Sequence, residues 1–271
     1  MPPVTYRQLL DNGWTRHTIA GALERGSLRR LARGWYEIGT SSSDELVAAQ
    51  SGVRIGCLTG LKAHGVWVPI AQHPHVIVPR WGVVCGSGVQ HVNPRSAPWP
   101  RLHTTYDIAD CLRQVVRFHD VETALMVLES ACNLELVSEE TVREIIAECS
   151  PRLAKQLARF DPRAESGTET RVRLFLVGLG FAVLPQARIA GIGRVDLLVG
   201  RSLIIECDSH EHHTSEVTYQ KDRRRDLRAS ALGHRVVRLT WEQVFLDWGN
   251  TKVLLLSILR TRGYRRPPIC A

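Results

Sequence analysis

Several absences narrow the field. No window of the 271-residue chain approaches the roughly 18 uninterrupted apolar residues of a membrane-spanning helix. The opening Met1-Pro2-Pro3-Val4-Thr5-Tyr6 carries no apolar signal core. The expectation is a cytoplasmic protein with no membrane partner. Cysteine is present but unorganised: seven residues, at 57, 85, 111, 132, 149, 207 and 270, without a CxxC pair. That excludes a disulfide framework and a structural zinc knuckle, and it fits a reducing compartment. The histidines at 64, 73, 75 and 91 lack nearby carboxylates and ligand spacing, which favours surface or capping roles over a metal site. Acid is in deficit. Against 35 Lys and Arg stand 27 Asp and Glu, a net charge of +8 that suits an anionic partner such as nucleic acid.

What is present falls into two halves. Tyr6-Arg7-Gln8-Leu9-Leu10-Asp11-Asn12 reads as a short helix ending at Gly13, and Thr15 caps a second helix through Ile19, Ala22 and Leu23 to Gly26. Ser27 to Ile38 holds two extended runs flanking Ala32-Arg33-Gly34, a hairpin with glycine at its turn. Helix, helix, basic hairpin is winged-helix order. In such a unit a helix enters the major groove and hairpin arginines lie along phosphates, so Arg16, His17, Arg29, Arg30 and Arg33 are the expected DNA contacts. A solvated basic face and a protein-docking module are the alternatives.

Further helices are expected from Asp44, over Leu58 to His64, and over 105–117, 121–134 and 138–148, with strands at 74–79 and 89–92 around a Gly-rich turn. The polar, proline-bearing stretch 151–167 is placed as a linker. The division is therefore a winged-helix module over 1–50, a mixed strand and helical region over 51–150, the linker, and a second domain over 168–271.

Tyr6 to Ile38 with its closing Arg33-Gly34-Trp35-Tyr36, then Leu58-Thr59-Gly60-Leu61-Lys62-Ala63-His64-Gly65-Val66 and Thr104-Thr105-Tyr106-Asp107-Ile108-Ala109-Asp110, resemble the antitoxin-like winged-helix proteins of the abortive-infection type. The resemblance covers roughly 1–150. It implies double-stranded DNA as a partner, and it is compatible with a homodimer or with a neighbouring toxin- or antitoxin-type partner.

In the second half, Gly193-Arg194-Val195-Asp196-Leu197-Leu198-Val199 and Leu203-Ile204-Ile205-Glu206-Cys207-Asp208 read as adjacent buried strands that carry acid where a core strand is apolar. A buried carboxylate costs several kcal/mol unless it is paired or metal-bound, so Asp196 and Glu206 share a cation or find basic partners. With a helix over 168–180 that offers Glu169, a strand over 181–189, a helix over 218–232 and a strand over 235–239, the order is α-β-β-β-α-β.

A strand-borne Asp followed ten positions later by Glu-x-Asp, with a helical Glu upstream, resembles the PD-(D/E)xK nuclease superfamily. The set Arg194-Val195-Asp196, Glu206 to His213 and Gly233-His234-Arg235-Val236-Val237-Arg238-Leu239-Thr240 is more closely similar to domains allied to very-short-patch mismatch-repair endonucleases, over about 165–248. The fold class expected is thus a mixture of α/β and α+β in two domains, the second a restriction-endonuclease-like core.

Phosphodiester hydrolysis needs a cation and charge stabilisation, and hard Mg²⁺, or Mn²⁺, takes oxygen ligands from Asp196, Glu206 and Asp208. Glu169 orients water or completes a second layer of hydrogen bonds. The superfamily usually has lysine where this chain has Asp208, which acts either as a ligand or as a partner orienting a histidine. In the allied nucleases, histidines just past this strand take part in catalysis, so His212 or His213 is the expected acid or base. Arg225 meets a phosphate or neutralises an acid. Two other readings remain. The acids pair with Arg194 or Arg188 in an inactive nuclease fold behind a DNA-binding regulator, or His210, His212 and His213 with Glu206 and Asp208 hold zinc.

Overall fold

The computed structural model describes residues 1–80, 88–94, 97–208 and 216–267; of Asp208 and residues 216–222 it describes the backbone alone. The fold is mixed α and β, with three small sheets among the described residues. The chain forms two compact units, the first comprising 1–124 with 140–145 and the second 125–139 with 146–271.

The first unit opens with β1 (Val4–Thr5), α1 (Tyr6–Asp11), α2 (Arg16–Glu24), β2 (Arg29–Ala32) and β3 (Trp35–Glu37). Thr5 and Thr15 start the two helices through capping boxes, each threonine and the third helical residue satisfying one another's free N–H groups. Gly34, at φ +81°, makes the hairpin turn. The strands lie in the order β1-β3-β2, and Leu9, Ile19, Ala22, Leu28 and Tyr36 form the core beneath them. Arg29 stands opposite Glu37 in the antiparallel pair.

Ser42 caps α3 (Ser43–Ser51), and β4 (Arg54–Ile55), α4 (Cys57–Ala63), β5 (His75–Val78), β6 (Val89–Val92) and α5 (Ile108–Phe118) follow. Arg54 is buried between the rings of Trp35 and Trp99, 5.0 and 4.9 Å from their centroids. β5 is antiparallel to β4 but parallel to β6, so the two strands expected around a Gly-rich turn do not form a hairpin. Parallel pairing needs a crossover, and the connection between them is correspondingly longer than a tight turn.

Helices α6 (Val121–Asn133) and α7 (Glu139–Ala147) contribute to both units. The stretch placed as a linker contains α8 (Pro151–Leu157), because Pro151 stands at the first helical turn, where its missing N–H costs nothing. The second unit continues through α9 (Gly167–Gly178), β7 (Val183–Ile189), β8 (Gly193–Val199), β9 (Leu203–Asp208), α10 (Glu216–Ala231), β10 (Arg235–Thr240), α11 (Trp241–Phe245) and α12 (Trp248–Arg260).

Its sheet has the order β10-β9-β8-β7, with β10 parallel to β9 and the other pairs antiparallel. Leu197, Val199, Leu203, Ile205 and Leu239 pack with Val172 and Leu176 of α9, Val244 of α11 and Leu255 and Leu259 of α12. Ala187, Val195 and Ile204 pack with Ala229 of α10. The two clusters put helices against both faces of the sheet.

A buried polar knot fixes α9 within this unit. Glu129 accepts hydrogen bonds from the Asp161 N–H at 2.9 Å, from Thr170 Oγ1 and from the Arg173 guanidinium. Glu129 and Arg173 are 1% and 5% exposed, so neither charge is screened by water. Glu129→Ala leaves Arg173 buried and unpaired and is expected to cost about 3–5 kcal/mol, while the double variant with Arg173→Met recovers much of that loss. Urea-unfolding midpoints of the three proteins check this.

Candidate functional site

The acids singled out in the second half sit on one transverse row of the second sheet. Continuing the ladder of β7 and β8 puts Gln186 opposite Asp196, between the paired positions Pro185 with Leu197 and Ala187 with Val195. Continuing β8 and β9 past Leu197 and Ile205 puts Asp196 beside Glu206. Arg238 of β10 is the partner of Glu206. Gln186, Asp196, Glu206 and Arg238 therefore cross the sheet from edge to edge.

Across β7, β8 and β9 the ladder is broken along this row, while β9 and β10 stay paired. Gln186 has φ +51°, the left-handed region that costs a non-glycine residue about 1–2 kcal/mol. Val195 and Leu197 are two residues apart and would share a face of a regular strand, yet they enter different clusters, as do Val183 and Ala187. Both strands thus exchange faces at Gln186 and Asp196. Side chains take over the missing backbone bonds. Asp196 Oδ2 accepts from the Cys207 N–H at 2.7 Å, and the Asp196 N–H donates to Glu206 Oε2 at 3.3 Å.

Glu169 joins the row from the first turn of α9. Ser166 caps that helix and hydrogen-bonds Glu169 Oε1 at 3.2 Å, and Gln186 Nε2 donates to Glu169 Oε2 at 2.8 Å. Glu169 is buried; its carboxyl is pushed up to about 8, first by burial and then by the charge of Asp196. Glu206, also buried, is pushed up to about 7 by burial and by Asp196, against the opposing pull of Arg225 and Arg238. Arg225 of α10 reaches Glu206 Oε1 at 3.0 Å and also bonds the Arg194 carbonyl. Arg194 itself binds Glu165, with Nη2 to Oε2 at 2.9 Å. It thus pairs outside the row, and the basic partner of Glu206 is Arg225.

Gln186 is the residue that sequence reasoning missed. A single polar side chain in a strand gives no signal of a left-handed backbone. Its Oε1 is buried with no hydrogen-bond partner in the structure, an acceptor oxygen left over beside the acids. The side chain of Asp208 and the whole of His212 and His213 lie outside the described residues, so the structure brings together Glu169, Asp196, Glu206 and Arg225 of the residues named in advance. On the α10 and β10 side, a cleft of about 600 Å³ is lined in part by Arg223, Arg235, Arg238 and His234. Arg238 is held there by Asp226 at 2.8 Å.

In the first unit, Arg16 and His17 are exposed at the start of α2, and Arg30 and Arg33 are exposed on the hairpin. Arg29 is less available. Its Nε donates to Glu37 Oε2 at 2.8 Å, and the Ser41 N–H and Arg29 together hold the Glu37 carboxyl below the usual carboxylate range.

The assignment of histidines 64, 73, 75 and 91 to surface or capping positions holds for two and fails for two. His73 is exposed, and His64 Nε2 bonds the Tyr106 carbonyl at 2.7 Å. His75, by contrast, is buried, and His75 and His91 converge with Cys57 and His119 so that their ligand atoms lie within 4.8 Å of one another. The spacings, from 57 to 75 to 91 to 119, follow no local ligand pattern, so only the tertiary fold reveals the group. Among the described residues this is the one cluster of three or more such atoms that close; the carboxylates of the acidic row lie farther apart.

The raised carboxyls have a consequence for stability. The folded chain holds the Glu169 and Glu206 protons more tightly than the unfolded chain does. Their contribution is full below about 4.5 and is lost as pH rises through about 7 and 8. The melting temperature of Glu169→Gln is therefore expected to gain on that of the wild type as pH rises across this window, which paired thermal melts read directly. Comparison with protein-family models gave no match, and comparison with curated proteins gave none either.

Proposed function

We propose that this chain is a DNA-acting protein in which a winged-helix module in the first unit holds duplex DNA and a PD-(D/E)xK-like second unit hydrolyses a phosphodiester bond. The observation that carries the reading is the meeting of Glu169, Asp196 and Glu206, from a helix and two neighbouring strands, at the row where the sheet ladder opens. The element order α9-β7-β8-β9-α10-β10 agrees with that family of folds.

The donor set suits a hard divalent cation, Mg²⁺ or Mn²⁺. Oxygen ligands are available from Asp196 and Glu206, and the Gln186 Oε1 atom beside them is buried and unpaired. Burial, and then the charge of Asp196, favours the protonated Glu169 and Glu206 carboxyls, and a bound cation would displace those protons. When bound, the cation would polarise the phosphoryl group and favour ionisation of the attacking water.

The protein's own groups then have separate tasks. Glu169, whose carboxyl is pushed up to about 8, holds a proton near neutral pH and is suited to exchange it with water at the site. Arg225 and Arg238 neutralise Glu206, and release of Arg225 toward a phosphate would transfer that cation to the substrate. The cleft beside β10, where Asp226 pairs with Arg238, adds Arg223 and Arg235 as further cations for a polyanion. Arg16, His17, Arg30 and Arg33 supply phosphate contacts from the other unit, with Arg29 tied to Glu37. His212, His213 and Asp208 keep the roles that the resemblance implies.

The Arg225 to Glu206 ion pair favours a second reading, a DNA-binding regulator whose nuclease fold is inactive, because the arginine occupies an oxygen that a cation would use. Supercoiled plasmid distinguishes the two. The proposal expects nicking with Mg²⁺ or Mn²⁺ that stops with EDTA and falls by at least about 100-fold in Asp196→Asn and Glu206→Gln. Plasmid that is bound but never cut favours the regulator. Separately, Arg30→Ala with Arg33→Ala is expected to weaken DNA binding and flatten its salt dependence by about two phosphate contacts, as measured by filter binding over a range of KCl concentrations.

A further inference from the structure

The four converging side chains of the first unit form a site of different chemistry from the acidic row. Cys57 begins α4, His75 begins β5, His91 lies on β6 and His119 directly follows α5. In the parallel register of β5 and β6, His75 pairs with Val89 and Ile77 with His91. That places His75 and His91 on one face, a single diagonal step apart. Their ring nitrogens, His75 Nδ1 and His91 Nε2, are 3.1 Å apart, and Cys57 Sγ is 3.0 Å from His119 Nε2.

The backbone around these residues is committed to the arrangement. Cys57 has φ +50°, an uncommon conformation for a side-chain-bearing residue, and its N–H donates to Gln114 Oε1 at 2.7 Å. Gly56 before it admits no side chain, since a Cβ there would stand 2.4 Å from Gln114 Oε1 and 2.7 Å from Ile77 Cγ1. The His75 N–H donates to Thr59 Oγ1 at 2.7 Å, the His119 N–H is held by the Val115 carbonyl at 2.9 Å, and the His91 ring stacks on Phe118 at 4.4 Å. Strain of this kind persists where the surroundings over-determine it, and it gathers at ligand sites.

We infer that Cys57, His75, His91 and His119 form a closed four-ligand site for a transition-metal ion, Zn²⁺ being the ion that its one sulfur and three nitrogens suit best. Ligand atoms on a tetrahedral zinc ion stand about 3.4–3.6 Å apart, given Zn–N and Zn–S bonds of about 2.0–2.1 and 2.3 Å. The two observed separations, 3.1 and 3.0 Å, are a few tenths of an ångström shorter than this spacing, and no pair of ligand atoms exceeds 4.8 Å. His75 with His91, and Cys57 with His119, share hydrogen bonds whose donors and acceptors a bound cation would take over as ligands. Zinc binding displaces the Cys57 proton to solvent and leaves the imidazoles neutral, with no change of oxidation state. Four protein ligands leave no open position, so the ion's role is structural: it ties the start of α4, the β5-β6 pair and the end of α5 together. The soft and borderline donors separate this site from a hard, oxygen-ligated one.

The test uses the full-length chain carrying Asp196→Asn and Glu206→Gln, so that the acidic row does not contribute. Metal analysis of protein purified without chelator is expected to give one zinc per chain. Replacement by Co²⁺ is expected to give intense visible absorption of a tetrahedral ion together with a thiolate-to-cobalt charge-transfer band. Adding Cys57→Ser is expected to abolish the charge-transfer band, and adding His119→Ala to cut zinc retention on dialysis by at least about tenfold. Should these added variants fail to fold, the Co²⁺ spectrum of the Asp196→Asn, Glu206→Gln protein decides. A tetrahedral spectrum with the thiolate band supports the site. Absence of zinc together with no such spectrum, or a band that survives Cys57→Ser, overturns it.

Discussion

Negative charge held out of water is the constraint from which the second unit is built. Glu169 and Glu206 are buried beside Asp196, whose charge adds to burial in raising the cost of ionising them. The surrounding structure reduces that cost piece by piece. Asp196 takes the Cys207 N–H, Glu206 takes the Asp196 N–H and Arg225, and Glu169 takes Gln186 and the cap of its own helix. The left-handed turn at Gln186 and the exchange of faces in β7 and β8 belong to the same compromise. A sheet that kept its ladder here would offer Asp196 no N–H from β9. Apolar packing of α9, α11 and α12 below, and of α10 above, holds the irregular row in place.

The two units solve the problem of burying polar groups in opposite ways. In the second, hard oxygen donors are balanced by arginines, an arrangement that a cation or a phosphate can enter by exchanging partners. In the first, one sulfur and three nitrogens lie within 4.8 Å of one another, the set for which a single bound ion is proposed above. The first unit also carries exposed arginines on its hairpin, of which Arg29 is paired with the buried Glu37. Charge available to a partner and charge committed to folding therefore sit on adjacent positions of one strand.

The sequence made the regular parts legible. Thr15 and Gly34 mark a helix start and a turn that local chemistry dictates, and the helix and strands from 167 to 208 fall within a residue or two of where periodicity places them. Asp196, Glu206 and Glu169 stood out because acid in an apolar pattern is a local anomaly. What was hidden depends on chain separation. Parallel pairing of β5 with β6 and the convergence of Cys57 with three distant histidines both arise from tertiary contacts. Pro151 misled for a different reason: proline at a first helical turn starts a helix, whereas the same residue inside one would end it.

The central claim is that the acidic row is a cation site whose ligands include Asp196 and Glu206. Calorimetric titration of Mn²⁺ into the wild type and into Asp196→Asn, both first saturated with zinc and tested at pH 7 in two buffers of different ionisation enthalpy, measures this most directly. The account predicts one wild-type site with release of protons, since Glu169 and Glu206 titrate near this pH, and at least about tenfold weaker binding to the variant. Equal Mn²⁺ affinity in the two proteins, or no binding to either, would contradict it.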